Sequence, residues 1–174
     1  MAVLKVRRYG DPVLRRRATP IDVVTSEVRR LVADMVDTMY DEVGIGLAAP
    51  QVGVSLRLMV VGGEDGRGVQ ALVNPAITAQ GGTVTAEEGC LSLPGIFAQV
   101  TRAEWVTLQA QDLEGNPVAL TARGLRSRVF QHEIDHLDGV LFIDRLEPVL
   151  RDRIKRRIRK DGFTEDAAHR AFAL

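Results

Sequence analysis

A chain of 174 residues, 45% apolar, with 23 basic and 23 acidic side chains, suits one domain with a sizeable core and excludes a disordered polypeptide. A formal net charge of zero gives no whole-molecule field to draw nucleic acid, and no apolar run approaches the ~20 residues of a membrane span. The basic N-terminus, MAVLKVRRYGDPVLRRR, lacks the long apolar stretch and cleavage site of a signal peptide, and the lone cysteine, Cys90, allows no internal disulfide and suits a reducing cytoplasm.

In chain order, SEVRRLVADMVDTMYDE (26–42) has helical spacing: Val28, Leu31, Val32, Met35, Val36 and Met39 share one face. Ser26 is the expected N-cap, and the GIG cluster should stop the helix near Val43. Strand-like runs follow at 55–62, 71–79, 83–87, 98–103, 105–111 and 117–122, and the last two flank the turn sequence DLEGN. Helical spacing returns over 123–137 through Leu125, Val129, Phe130 and Ile134, with Gly139 as a stop. PVLRDRIKRRIRK (148–160) reads as a last helix with Leu150, Ile154 and Ile158 spaced by four, and the tail after it as partly helical or loose. The layout predicts one α+β domain over 1–174: antiparallel or mixed sheets around a central helix, with 148–174 a C-terminal helical extension.

Two of the three histidines lie in QHEIDH (131–136). Helical residues four apart are offset by only about 40° around the axis, so His132 and His136 can offer two imidazoles to one ion. Glu133, rotated by about 100° from His132, can reach a water beside the ion without ligating it, as in HExxH sites. Two surface histidines on an amphipathic helix is the plainer alternative. The flanking Val129, Phe130, Ile134 and Leu137 favour a helix packed on several sides, where unpaired imidazoles are costly.

A catalytic site of this type needs a third protein ligand and an open position. A metzincin-like third histidine would fall at position 142, which is Phe142. Glu147, Glu165, His169 and Cys90 remain as candidates, and spacing alone does not choose among them.

GIGLAAPQVG (44–53), EGCLSLP (88–94) and QHEIDH (131–136) resemble the three signature motifs of peptide deformylases, in order and approximate spacing. RRYGDPVLRRRA and LMVV add to the resemblance, which covers roughly residues 4 to 150. It implies that Cys90, His132 and His136 bind the metal and that Glu133 is the catalytic acid and base. It further implies that Gln51 and the backbone N–H of Leu91 stabilise an oxyanion. The implied substrate is the N-terminal formyl-methionine of a newly made polypeptide, and the implied ion ferrous iron, with zinc or nickel able to replace it. A Cys/His2 set also accepts cobalt.

Gly44 and Gly46 are expected to admit substrate backbone as well as to end the preceding helix, and Glu88 to steady the site by accepting a hydrogen bond. Alignment with the family makes Ile45, Leu125 and Val129 candidate walls of the methionine pocket. Three positions depart from many relatives: Val43 and Phe97 stand where an acid and an arginine are common, and Arg128 where an apolar residue is common. Those changes are expected to affect peptide preference at the cleft rim. LRDRIKRRIRK carries seven basic side chains and one acidic, which suits either a solvated face or contact with ribosomal RNA phosphates. The competing functions are an HExxH metallopeptidase with an acidic third ligand, cleaving internal peptide bonds, and a non-catalytic metal-stabilised binding module.

Overall fold

The computed structural model describes residues 2–63, 68–163 and 174. Its elements are a 3-10 turn at Pro12–Arg15, α1 (Ser26–Asp41), β1 (Gly46–Ala48), a 3-10 turn at Ala49–Val52, β2 (Leu58–Gly62), β3 (Val69–Gly81), β4 (Val84–Cys90), β5 (Leu93–Arg102), β6 (Trp105–Gln111), β7 (Pro117–Arg123), α2 (Gly124–Leu137), a 3-10 turn at Phe142–Arg145 and α3 (Pro148–Asp161). The fold is α+β. One five-stranded sheet has the order β1-β2-β3-β6-β7, and β4-β5 forms a separate two-stranded sheet. Every pairing of these strands is antiparallel.

The buried face of α1 carries Val28, Val32, Met35, Thr38 and Met39, and the apolar ones pack with Leu47, Leu58 and Val60. Its cap is one residue earlier than expected: the Thr25 hydroxyl accepts from the Val28 N–H at 3.2 Å, leaving Ser26 as the first helical residue. The exit also differs. Val43, not a glycine, takes the left-handed conformation with φ 56°, and Gly44 N–H then closes on Met39 O at 2.9 Å. A β-branched side chain is strained there, and Val43 is 54% exposed.

β3, β4, β5 and β7 run beyond the expected stretches at one end or both, β6 matches 105–111, β2 is shorter than 55–62, and the β6–β7 hairpin turns where DLEGN predicts. There Asp112 Oδ1 accepts the N–H groups of Glu114 and Asn116 at 2.9 and 2.8 Å. The three-residue β1 has no expected counterpart.

α2 packs against β1, β2, β6 and β7, and every residue from Ser127 to Leu137 is buried. This explains why its apolar periodicity is faint: a helix enclosed on all sides carries its polar residues inward too. Gly139, with φ 75°, ends it; an added Cβ would come within 2.5 Å of Arg15 O. α3 buries Ile154 and Ile158 beside Phe142, Ile143 and Val13, while Leu150 is 36% exposed. Among the described residues no helix is long and apolar enough to cross a membrane.

Candidate active site

Cys90 ends β4, where the register shifts between Gly89 and Cys90 and turns the sulfur toward α2. Cys90 Sγ lies 3.3 Å from His136 Nε2, which lies 3.2 Å from His132 Nε2. All three donor atoms fall within 4.8 Å of one another and all three residues are buried. A tetrahedral ion bound at about 2.0–2.1 Å by nitrogen and about 2.3 Å by sulfur sets neighbouring donors roughly 3.3–3.6 Å apart, so the observed spacings fit such an ion.

The protonation of the set agrees. His132 Nδ1 meets Glu88 Oε1 at 2.9 Å. Because Glu88 is an anion, Nδ1 carries the proton and Nε2 presents its lone pair. Burial, then the neighbouring His132, pushes His136 well below the usual imidazole range, so it stays neutral as a ligand must. Burial pushes the Cys90 thiol up, with Glu133 and Glu88 adding to it; a divalent cation would reverse this and favour thiolate.

Glu88 is fully buried beneath His132. Arg102 Nε donates to its Oε2 at 2.6 Å and Arg102 Nη2 to its Oε1 at 2.9 Å. Arg128 Nη1 adds a third bond, to Oε2, at 2.5 Å. Burial opposes ionisation of this carboxyl, but the bonds from His132 and Arg102 outweigh it and bring it to about 2. Arg102 continues to Asp135 Oδ2 at 2.8 Å, and Asp135 to Arg145 at 2.7 Å.

Glu133 is the opposite case. It is fully buried, neither carboxyl oxygen has a hydrogen-bond partner among the described residues, and burial pushes it well above the carboxylate range, the Arg102 charge notwithstanding. Its side chain lies over Gly46, where an added Cβ would sit 2.9 Å from Glu133 Oε1 and 2.9 Å from Val129 Cγ1. Gly44 is equally close to Leu91, with Cδ1 2.9 Å from an added Cβ. Both glycines therefore serve close packing.

Gln51 is fully buried in the 3-10 turn after β1. Its Oε1 accepts from Ala48 N–H at 3.0 Å, which fixes the amide so that Nε2 faces Ser92 Oγ at 3.2 Å and Cys90 Sγ at 3.7 Å. The Leu91 N–H donates to Leu174 O, and Leu174 N–H to Gly89 O, each at 3.3 Å. Leu174 is buried in the apolar cluster that contains Val129 and Phe130, with Ile45 at its edge. Leu174 thus bonds the Gly89–Leu91 edge through its backbone while its side chain reaches that cluster.

Ile45, Leu125 and Val129 line one groove of about 280 Å³ with Val61 and Gly62; Leu125, 60% exposed, forms its lip. Two of the three departures are inside the protein or packed down. Arg128 is 5% exposed and not at the rim, because its guanidinium turns inward to Glu88. The Phe97 ring covers Gly89, with Cε1 2.5 Å from an added Cβ. Of the other ligand candidates, Glu147 is exposed at the start of α3, and Glu165 and His169 lie outside the described residues. Sequence reasoning missed Ser92, Arg102 and Asp135. Ser92 and Asp135 sit inside motifs already singled out, whereas Arg102 carries no local signal.

The polypeptide deformylase family model matches residues 3–152. A peptide deformylase of Halothermothrix orenii is 49% identical over 146 residues, covering 84% of this chain and 95% of that protein. The crystal structure of a peptide deformylase from Legionella pneumophila superposes with TM-score 0.86 at 44% identity, covering 91% of this chain and 95% of that one. That of peptide deformylase from Thermus thermophilus gives TM-score 0.85 at 47% identity, covering 90% and 93%.

Proposed function

The chain belongs to the polypeptide deformylase family, and on that premise we propose that Cys90, His132 and His136 hold the metal of this metalloenzyme while Glu133, Gln51 and Leu91 carry the reaction. The enzyme removes the N-formyl group from the N-terminal formyl-methionine of newly made polypeptides, releasing formate. The observation that carries the residue assignment is the convergence of one sulfur and two imidazole nitrogens beside a buried, unpartnered carboxyl.

A cation held there supplies Lewis acidity and lowers the pKa of water toward ~7. Glu133 accepts the proton of the attacking water on a carboxylate oxygen and delivers it to the departing amide nitrogen, leaving formate and a free amine. Burial raises its affinity for a proton, which favours taking up the proton of the water. Gln51 Nε2 and the Leu91 N–H donate to the oxyanion as the formyl carbon becomes tetrahedral, each contributing about 2.7–4 kcal/mol if fixed beforehand. The Ala48–Gln51 bond does that fixing for the side-chain donor.

The two β-type bonds at Gly89 and Leu91 support an extended mode for the peptide, with Leu174 standing in for a methionine. Ile45, Leu125 and Val129 form the wall for that side chain, and Gly44 and Gly46 let the backbone lie close against Leu91, Val129 and Glu133. Glu88 serves by orienting His132. The formyl hydrogen, where an acetyl has a methyl, is selected sterically in so tight a site.

The ion is Fe²⁺, with Zn²⁺, Ni²⁺ or Co²⁺ able to substitute, and a thiolate-bound ferrous ion makes activity oxygen-sensitive. The enzyme works in the cytoplasm as a single domain with 148–174 its helical extension. α3 docks it on the ribosome through basic side chains, among them the exposed Arg153, Arg156, Arg157, Arg159 and Lys160. An anaerobic assay of formate release from formyl-Met-Ala, with metal analysis of the same sample, tests the core assignment. The expected result is turnover with one ion per chain, both lost in Cys90→Ala. A Cys90→Ala protein that keeps its ion and activity overturns it.

A further inference from the structure

Arg128 lies one helical turn before His132 on α2, and its guanidinium bonds the Cys90 hairpin at three points. Nη1 donates to Glu88 Oε2 at 2.5 Å and to Val100 O at 2.8 Å, and Nη2 donates to Val84 O at 2.8 Å. Val84 and Glu88 belong to β4 and Val100 to β5. One guanidinium therefore ties both strands that deliver the sulfur to the helix that delivers the two imidazoles. Arg102 instead divides its donors between the Glu88 and Asp135 side chains.

The consequence for Glu88 is saturation. With Arg128 present, Oε2 accepts two bonds and Oε1 accepts Arg102 Nη2 and the His132 ring. A carboxylate has about four such acceptor sites, so no freedom of rotation remains to the group that orients His132. A lysine is a single point charge and cannot reach two carbonyls and a carboxylate in one plane; the arginine fork can.

We propose that Arg128 is a positioning residue for the metal centre: it locks Glu88, and through it the His132 ring, and holds the Cys90 hairpin against α2. This rests on the reading of Cys90, His132 and His136 as the ligands. Arg128 acts on the ligand set and not on the peptide, although it stands where relatives commonly carry an apolar residue.

The test loads the full chain with Co²⁺ anaerobically and compares Arg128→Met and Arg128→Lys with the parent. The expected result is a loss of about 10–100-fold in Co²⁺ affinity by chelator competition for Arg128→Met, as for other groups that orient metal ligands. The visible d–d and thiolate-to-cobalt bands should shift, with partial recovery in Arg128→Lys. For formyl-Met-Ala, kcat falls while KM stays. A melting temperature that drops while the cobalt spectrum and affinity of the folded protein stay at parent values overturns the proposal. So does a raised KM at unchanged kcat, which would put Arg128 on the substrate. If Arg128→Met does not fold, Arg128→Lys alone decides by the same readings. Cys90→Ala serves as control: undiminished Co²⁺ binding there sinks the ligand reading itself, separately from the role of Arg128.

Discussion

Two buried carboxyl groups flank His132, and they have opposite surroundings. Glu88, on the hairpin side, accepts from two arginines and an imidazole and is held near pKa 2. Glu133, on the cleft side, has no hydrogen-bond partner among the described residues and is pushed well above the ordinary range. Both sit at zero exposure, so burial alone does not separate them. Partners do: charge-assisted bonds repay desolvation on one side, and their absence leaves a proton-accepting group on the other. A fold that fixes the acid on β4 and leaves the acid on α2 poised has divided structure from chemistry between a strand and a helix.

The comparison breaks most sharply at Glu133. Glu133→Gln should lower kcat by about 10²–10⁴-fold, with metal content and melting temperature retained, since no bond is lost. Glu88→Ala should do the reverse to the scaffold: it strands Arg102 and Arg128 inside and costs about 3–5 kcal/mol of stability, read by denaturant unfolding. Metal affinity should fall with it. Gly46→Ala probes the space Glu133 needs. An added methyl meets Glu133 Oε1 and Val129 Cγ1, so a loss of about 1–3 kcal/mol and a lower kcat are expected from melting curves and assay together.

Leu174→Gly opens the cleft side further. On the proposed binding mode substrate displaces Leu174 O from the Leu91 N–H, so KM for formyl-Met-Ala should fall roughly 3-fold or more at constant kcat. Asp144 gives the smallest effect and a reduced copy of the Glu88 case. Burial would raise it, but bonds from Arg15 and the Leu141 N–H lower its pKa below 3.8. Its contribution is present above that value and lost as pH falls through the lowered one. Both side chains are partly exposed, so at most about 1 kcal/mol is at stake. The melting-temperature gap between parent and Asp144→Asn should shrink in acid.

The sequence made some of this legible and hid the rest for physical reasons. His132, Glu133 and His136 declare themselves because helical periodicity fixes their relation within five residues. Cys90 does not, since it reaches the histidines through the β4–β5 hairpin and 42 residues of chain, and only motif resemblance ranks it above the other candidates. Glu88 bonds residues 14 and 40 positions away, a pairing no local pattern encodes. The start of α1 differs by one residue for a related reason. Ser26 is the better cap by type, yet Thr25 has the extended backbone a cap requires and takes the role. Val43 in a left-handed conformation is a choice that propensity argues against. Arg128 reads as a rim residue only from the family resemblance, and no local pattern foretells that its guanidinium turns inward to Glu88, Val84 and Val100.

The unbroken burial from Ser127 to Leu137 has a dynamic corollary. Backbone amides in that stretch have no path to solvent through fraying or a surface fluctuation. Deuterium uptake there must wait for opening of the whole domain, so its slowest amides would report the global unfolding free energy. The turn at Val43, exposed and strained, would exchange many decades faster in the same molecule.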